Sequence, residues 1–337
     1  MIIPQDIEIQ DNDIFQKHIY SNYNIAIHDI IKLGGYSNQT FKIKTRDGKS
    51  YVARLSHPHK SQSQILKEIY VLNSLHNINC KLAPKPLATT LQEDYSIIRW
   101  GGKESVLQIF YYIEGEVRHK WFESCNKDEL IQIFRNLAEL HLQMAQLKPP
   151  SSERNSMLHW DQSIQFERIS CNESLRKLLV VQKGIFFDKA EKLTAIAEGI
   201  FSKSQNKQFI HGDIHLENLL FLDNNAVAFI DFENVQYAAL EVDIIFSAFR
   251  ICKIGKADDK LIYDPEAIKA ALNAYFSINE NMAWIGTEFV KNEKLWKALF
   301  CLDQAILYLS QAARGVWELE EGIGFLPCFN EVLAYEE

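Results

Sequence analysis

No run in this chain approaches 18 consecutive apolar residues, so no segment reads as a membrane-spanning helix. No CxxC pair occurs among the six cysteines, Cys80, Cys125, Cys171, Cys252, Cys301 and Cys328, which lie far apart. That spacing argues against a zinc site or a disulfide framework and reads as reduced, mostly buried thiols. Basic residues are in deficit: 36 Lys and Arg against 44 Asp and Glu leave a formal net charge of −8. A protein that grips a nucleic-acid backbone usually has a basic excess or a basic stripe, and neither is present. The densest basic segment, His57 to Lys67, has only Lys60 and Lys67 as firm charges. An acidic surface also disfavours anionic membranes. The start, Met1 to Asp6, lacks the basic and apolar regions of a secretory signal. The expectation is a cytoplasmic protein, monomer or homodimer, that binds neither nucleic acid nor membrane.

What is present is core material. Hydrophobic residues make up 47% of the chain, with 20 Phe, 13 Tyr and 6 Trp, so disorder is excluded for most of it. The length of 337 residues allows two domains or one two-lobed unit. At that size about three quarters of the unfolded surface can be buried without a staple.

The first third reads as β-rich. Phe41–Thr45 and Tyr51–Leu55 alternate around an Asp47-Gly48 turn, the pattern of a hairpin. Ser61 to Leu75 turns helical, with Ile65, Ile69, Leu72 and Leu75 on one face. Tyr95–Trp100 and Ser105–Ile113 read as a further antiparallel pair through Gly101-Gly102. After Gly115 the character changes. Asn126 to Glu129 fits a capping box, and Leu130, Phe134, Leu137 and Met144 follow along one helical face. Residues 188–204 look helical, short apolar runs occupy Phe209-Ile210, Leu219–Leu222 and Ala226–Ile230, and the chain beyond Glu241 reads as helical, with Asp264-Pro265 as an N-cap and N1 pair. The fold class expected is α+β, with a β-rich lobe over 1–112 and a mainly helical lobe over 113–337.

The most informative stretch is His211-Gly212-Asp213-Ile214-His215-Leu216-Glu217-Asn218, followed by Phe229-Ile230-Asp231-Phe232-Glu233. An Asp, an Asn five residues on and a second Asp ending a short apolar strand suit Mg²⁺-dependent phosphoryl transfer. One carboxylate orients and deprotonates a hydroxyl, while the amide oxygen and the other carboxylate offer the hard ligands Mg²⁺ takes. Two other readings stand beside it: an ordinary polar turn, where Asp and Asn are favoured, and a metal hydrolase using His211, Asp213 and His215.

This stretch resembles the HGDxHxxN…IDF motif of the aminoglycoside phosphotransferase and choline kinase-like superfamily, relatives of the protein kinases. The resemblance implies a bilobal protein-kinase-like fold and an ATP- and Mg²⁺-dependent phosphotransferase acting on a hydroxyl of a small molecule, such as an aminoglycoside, homoserine, choline or a sugar-like acceptor. It implies Asp213 as catalytic base, Asn218 and Asp231 as metal ligands and His211 as a structural residue of the loop. In Leu33-Gly34-Gly35-Tyr36-Ser37-Asn38, it implies that Gly35, Ser37 and Asn38 cover the nucleotide phosphates. Arg54 stands in the place of the kinase β-strand lysine, with Glu68 as its helical partner. The carbonyl of Tyr111 and the amide of Ile113 would meet adenine. Phe232-Glu233 departs from the protein-kinase Phe-Gly. Choline kinases usually carry Asn in place of Gly212. His141 and Asp243 resemble packing and loop-holding residues of the superfamily. Trp284, Trp296 and Trp317 suit core packing better than ligand stacking. A non-catalytic pseudokinase is the alternative that keeps the same fold.

Overall fold

Residues 9–34, 38–56, 60–100, 102–119, 123–149, 183–223, 225–257, 260–313 and 326–336 are described in a computed structural model of the chain. A helix, α1 (Ile9–Tyr23), comes first. It buries Phe15, Ile19 and Tyr23, spaced four apart, on the sheet that follows. Phe15 packs against Phe41 and Trp100 with ring centroids 5.4 and 5.2 Å away. Sequence reading did not anticipate this helix, because three apolar positions in a polar stretch are a faint amphipathic signal.

The sheet has six strands: β1 (Ile27–Gly34), β2 (Gln39–Thr45), β3 (Ser50–Leu55), β4 (Pro86–Leu87), β5 (Ser96–Trp100) and β6 (Lys103–Tyr111). Every pairing is antiparallel, in the order β1-β2-β3-β6-β4, with β5 also beside β6. β2 and β3 form the expected hairpin, and its turn needs Gly48, whose φ is +81° and whose amide donates to the Thr45 carbonyl. Helix α2 (Gln62–Asn77) leaves β3 behind a Ser61 capping box.

Beyond β6 the chain is mainly helical: α3 (Lys127–Met144), α4 (Lys183–Ser202), α5 (Leu240–Ile251), α6 (Pro265–Phe276), α7 (Trp284–Lys291), α8 (Glu293–Ala313) and α9 (Leu326–Ala334). The Asn126 capping box and the Asp264-Pro265 start of α6 form as expected. Between α4 and α5 lie β7 (Lys207–Ile210), paired with β10 (Gln236–Ala239), and the hairpin β8 (Leu219–Leu222) with β9 (Asn225–Phe229). One expectation fails: the region after Glu241 is not wholly helical, since β11 (Lys253–Ala257) pairs with β12 (Lys260–Tyr263). Two runs of four or five residues, one broken by Gly255, were too short to stand out between helices.

A small core lies between α1 and the sheet, and a large one fills the helical part. Val71, Leu72 and Leu75 of α2 belong to the large core, so α2 ties the sheet to the helices. Among the described residues no helix is long and apolar enough to cross a membrane. Cys252, Cys301 and Cys328 are buried free thiols, and Cys80 and Cys125 are half-buried; Cys171 and Trp317 lie outside the described residues.

Candidate active site

β7 ends at Ile210 and delivers the chain into His211-Gly212-Asp213. Gly212 has φ +80°, and a Cβ there would sit 2.5 Å from the Asn234 carbonyl oxygen. The turn therefore excludes any side chain, including the Asn of choline kinases. Asp243, on α5, holds the turn from behind. Its carboxylate accepts the amides of His211 (2.8 Å) and Gly212 (3.0 Å), and lies 3.0 Å from His141 Nε2. A carboxylate only accepts, so Nε2 carries the hydrogen; the other ring nitrogen of His141 lies 2.8 Å from the Tyr275 hydroxyl. Burial works against the charge on Asp243, yet the hydrogen bond and charge of His141 and the amide of His211 hold its carboxyl below the ordinary range.

His211 is fully buried, with Nε2 3.1 Å from the Ile230 carbonyl and Nδ1 accepting the Asp213 amide at 3.3 Å. One neutral tautomer, protonated on Nε2, satisfies both bonds, and burial favours it by lowering the pKa. Both nitrogens are thus committed. The metal-hydrolase reading through His211, Asp213 and His215 is contradicted, since His211 has no lone pair left for a cation. Among the described residues no group of three or more His, Cys, Asp or Glu is arranged to hold a metal.

Asn218 locks the loop to the strand that follows. Its Nδ2 donates to the Asp213 carbonyl (2.9 Å), and its own carbonyl accepts the Ile230 amide (2.9 Å). The Nδ2 bond leaves Oδ1, the atom a hard cation takes, on the other side of the amide. Next comes Asp231, in left-handed backbone at φ +64°, a conformation Asp tolerates better than most residues.

The sheet meets this loop through charge. Arg54, on β3, donates to Gln108 opposite it on β6 (2.7 Å), pairs with Glu68 of α2 (2.7 Å) and reaches Asp231 (3.4 Å). Lys60 pairs with the same Glu68 oxygen (3.1 Å) and with Glu233 (3.5 Å). Asn38 Nδ2 donates to Glu233 (2.7 Å). Burial works against the charge on Glu68, yet Arg54 and Lys60 hold its carboxyl below the ordinary range. Three carboxylates thus face two cations. The excess falls on Asp231: burial first, then the charge of Glu233, pushes its carboxyl up to about 8. Because 35% of the Asp231 side chain still faces solvent, water screens part of that push.

The profile of the phosphotransferase enzyme family matches residues 31–284, about three quarters of the chain. The chain belongs to that family. It is a small-molecule kinase. No curated protein matches it in sequence. Solved structures share its fold: an amicoumacin kinase in complex with AMP-PNP, Ca²⁺ and Ami (TM-score 0.72, 14% identity, 96% of this chain and 93% of that one). A spectinomycin phosphotransferase with ADP and spectinomycin follows (0.62, 14%, 98% and 99%), as does a microcompartment-associated aminopropanol kinase (0.62, 16%, 96% and 96%).

Against the phosphotransferase family pattern, the structure brings Asn38, Arg54, Glu68, Asp231, Asp213 and Asn218 to one region where sheet and loop meet. Gly35 and Ser37 lie outside the described residues. Tyr111 ends β6, its amide donating to the Lys85 carbonyl (3.0 Å), and Ile113 lies in the segment beyond it. That segment runs onto β8: Glu116 and Phe221 exchange two hydrogen bonds of 2.9 Å, and Gly115 passes so close that a Cβ would lie 3.1 Å from the Phe221 oxygen.

Three residues escaped the sequence reading. From the sequence Lys60 is only a firm charge of the basic segment, Glu233 is a departure from Phe-Gly and an acidic residue flanking the motif, and nothing singles out Arg250. Arg250, on α5, lies 3.3 Å from Asp213 Oδ1. The one signal for it was a charged residue in the Phe246–Cys252 run, which otherwise holds only apolar residues and Ser247.

Proposed function

We propose that this kinase transfers the γ-phosphoryl group of ATP to a hydroxyl of a small, amine-bearing acceptor. Residues 1–112 would hold the nucleotide and residues 113–337 the acceptor, in a cytoplasmic protein. The observation that carries the reading is the meeting of Arg54 with Asp231 across the junction, on a loop that also holds Asp213 and Asn218.

Mg²⁺ fits this donor set. Asp231 and the Asn218 amide oxygen are hard ligands, and the three carboxylates around Arg54 and Lys60 leave an uncompensated negative charge that a divalent cation relieves. Asp231 and Asn218 would hold the ion, which would supply positive charge to offset that of the triphosphate during transfer. The chain's own residues do the rest. Arg54 presents its guanidinium edge to phosphate, a role in which its planar fork serves as well as lysine. Asp213 accepts the acceptor's hydroxyl proton as that oxygen attacks the γ-phosphorus and the bond to the bridging oxygen breaks, releasing ADP. Asn38 and, by analogy of position, Gly35 and Ser37 would cover the phosphates. The Tyr111 carbonyl and Ile113 amide would meet adenine.

An amine-bearing acceptor is supported by Glu217, a half-buried carboxylate on the loop, and by the amicoumacin, spectinomycin and aminopropanol kinases that share the fold. Glu233 is taken up by Asn38 and Lys60, and Glu241 is buried against Ser204. The test is Mg²⁺-dependent ADP release from ATP across aminoglycosides, spectinomycin, choline, homoserine, 1-amino-2-propanol and neutral sugars. Stimulation by an amine-bearing alcohol is expected. ATP binding without stimulation by any acceptor would support a pseudokinase instead.

A further inference from the structure

Arg250 sits behind Asp213 with 2% of its side chain exposed. Its Nη1 lies 3.3 Å from both Asp213 Oδ1 and the Gly212 carbonyl, and its Nη2 lies 3.6 Å from Asp303 Oδ2 on α8. Asp303 is itself almost fully buried and is also bonded by the Gln304 amide at 3.0 Å. On the other side of Asp213, Asn234 Nδ2 donates to Oδ2 at 3.2 Å, and His215 Nε2 lies 3.7 Å from the same oxygen. Each carboxylate oxygen of Asp213 therefore has its own restraint, and 21% of the side chain remains reachable from solvent.

Stability does not account for this arrangement. A buried carboxylate–guanidinium–carboxylate set carries a desolvation cost, and apolar replacements of such sets are often neutral or stabilising. Its geometry instead matches a demand of the reaction. The loose transition state of phosphoryl transfer leaves the protein chiefly the work of positioning. An aspartate beside a metal site is drawn toward the cation unless something holds it back. We infer that Arg250 is a positioning residue for the transfer. It fixes the Asp213 carboxylate and the Gly212 backbone together, so that Asp213 faces the acceptor hydroxyl rather than the metal. Asp303 balances the arginine's charge from α8. A lysine is a single point charge and cannot span both oxygens and Asp303 as the planar fork does.

This inference rests on the reading of Asp213 as the acceptor-facing base, so the experiment carries Asp213→Asn beside Arg250→Met, Arg250→Lys and, for rescue, Arg250→Ala. Rates are ADP release from Mg²⁺-ATP with the most active alcohol of the panel above, or with water in its place where none stimulates. Folding is checked by melting, and nucleotide affinity by the KM for ATP and by AMP-PNP titration. The expected result is a fall in kcat of about 10²-fold for Arg250→Met, with ATP KM and AMP-PNP affinity kept. Arg250→Lys should fall between that variant and wild type, and guanidinium ion added below denaturing concentration should raise the rate of Arg250→Ala. A folded Arg250→Met with kcat close to wild type, or with kcat and nucleotide affinity lost together, overturns the inference. If Arg250→Met does not fold, Arg250→Lys decides by the same split. If Asp213→Asn keeps wild-type turnover, the reading of Asp213 itself has failed, whatever Arg250 does.

Discussion

Asp243→Asn tests how the loop is held. In the native structure two buried donors, the His211 amide and His141 Nε2, converge on Oδ2, and the Gly212 amide binds Oδ1. The best an asparagine can do is turn its oxygen toward the two donors. Its NH₂ then faces the Gly212 N–H, donor against donor, and one buried hydrogen bond is lost outright, a cost of about 1–3 kcal/mol. The two retained bonds also lose their ionic partner, which weakens each by roughly half. Together these give about 3–5 kcal/mol. Spread over the melting entropy of a 337-residue chain, that is a fall of about 4–7 °C in Tm. Urea unfolding and scanning calorimetry at pH 7 would measure it. Asp243 has a depressed pKa, so its contribution is present above the ordinary carboxylate range and disappears as pH falls through the folded value. The gap between wild type and variant should therefore close in acid. A variant within about 1 kcal/mol of wild type, or a gap unchanged at low pH, would refute the reasoning.

Two further outcomes follow from the same site. Gly212→Ala meets both a left-handed backbone and the Asn234 oxygen; it should cost about 1–3 kcal/mol or more and depress turnover far more than AMP-PNP binding, which calorimetric titration and kinetics would separate. Asp231 has its folded pKa raised to about 8, so its stabilising effect is complete below the ordinary carboxylate pKa and is lost as pH rises through about 8. In metal-free, nucleotide-free protein, Asp231→Asn should therefore gain on wild type between about pH 4 and pH 8 and level off above that. Parallel Tm–pH curves would contradict it.

The sequence made the chemistry more legible than the architecture around it. The five-residue spacing from Asp213 to Asn218 and the short strand ending before Asp231 were visible, because local geometry fixes them: a 3-10 turn that starts three residues after Asp213 ends on Asn218, and the β8–β9 hairpin joins Asn218 to Asp231. Capping at Asn126 and Asp264 was legible for the same reason. Lys60 was not. A lone lysine is usually solvated, and its burial depends on two carboxylates brought to it by the fold, Glu68 of α2 and Glu233 far along the chain. Arg250 was hidden likewise, since its partners Asp213 and Asp303 come together only through the packing of α5 and α8. Helix α1 escaped because its contacts, such as Phe15 with Trp100, are long-range. Of the tryptophans named from the sequence, Trp296 is buried near Phe201, as core packing expects, while Trp284 is 45% exposed.

The most direct test of the central claim is kcat for Asp213→Asn against wild type, with AMP-PNP affinity measured on both. The account predicts a loss of about 10²–10⁴-fold in kcat with nucleotide affinity nearly unchanged, because Arg54, Glu68 and Asp231 are left intact. A variant that turns over at the wild-type rate, or one that loses nucleotide binding in proportion to its rate, would contradict it.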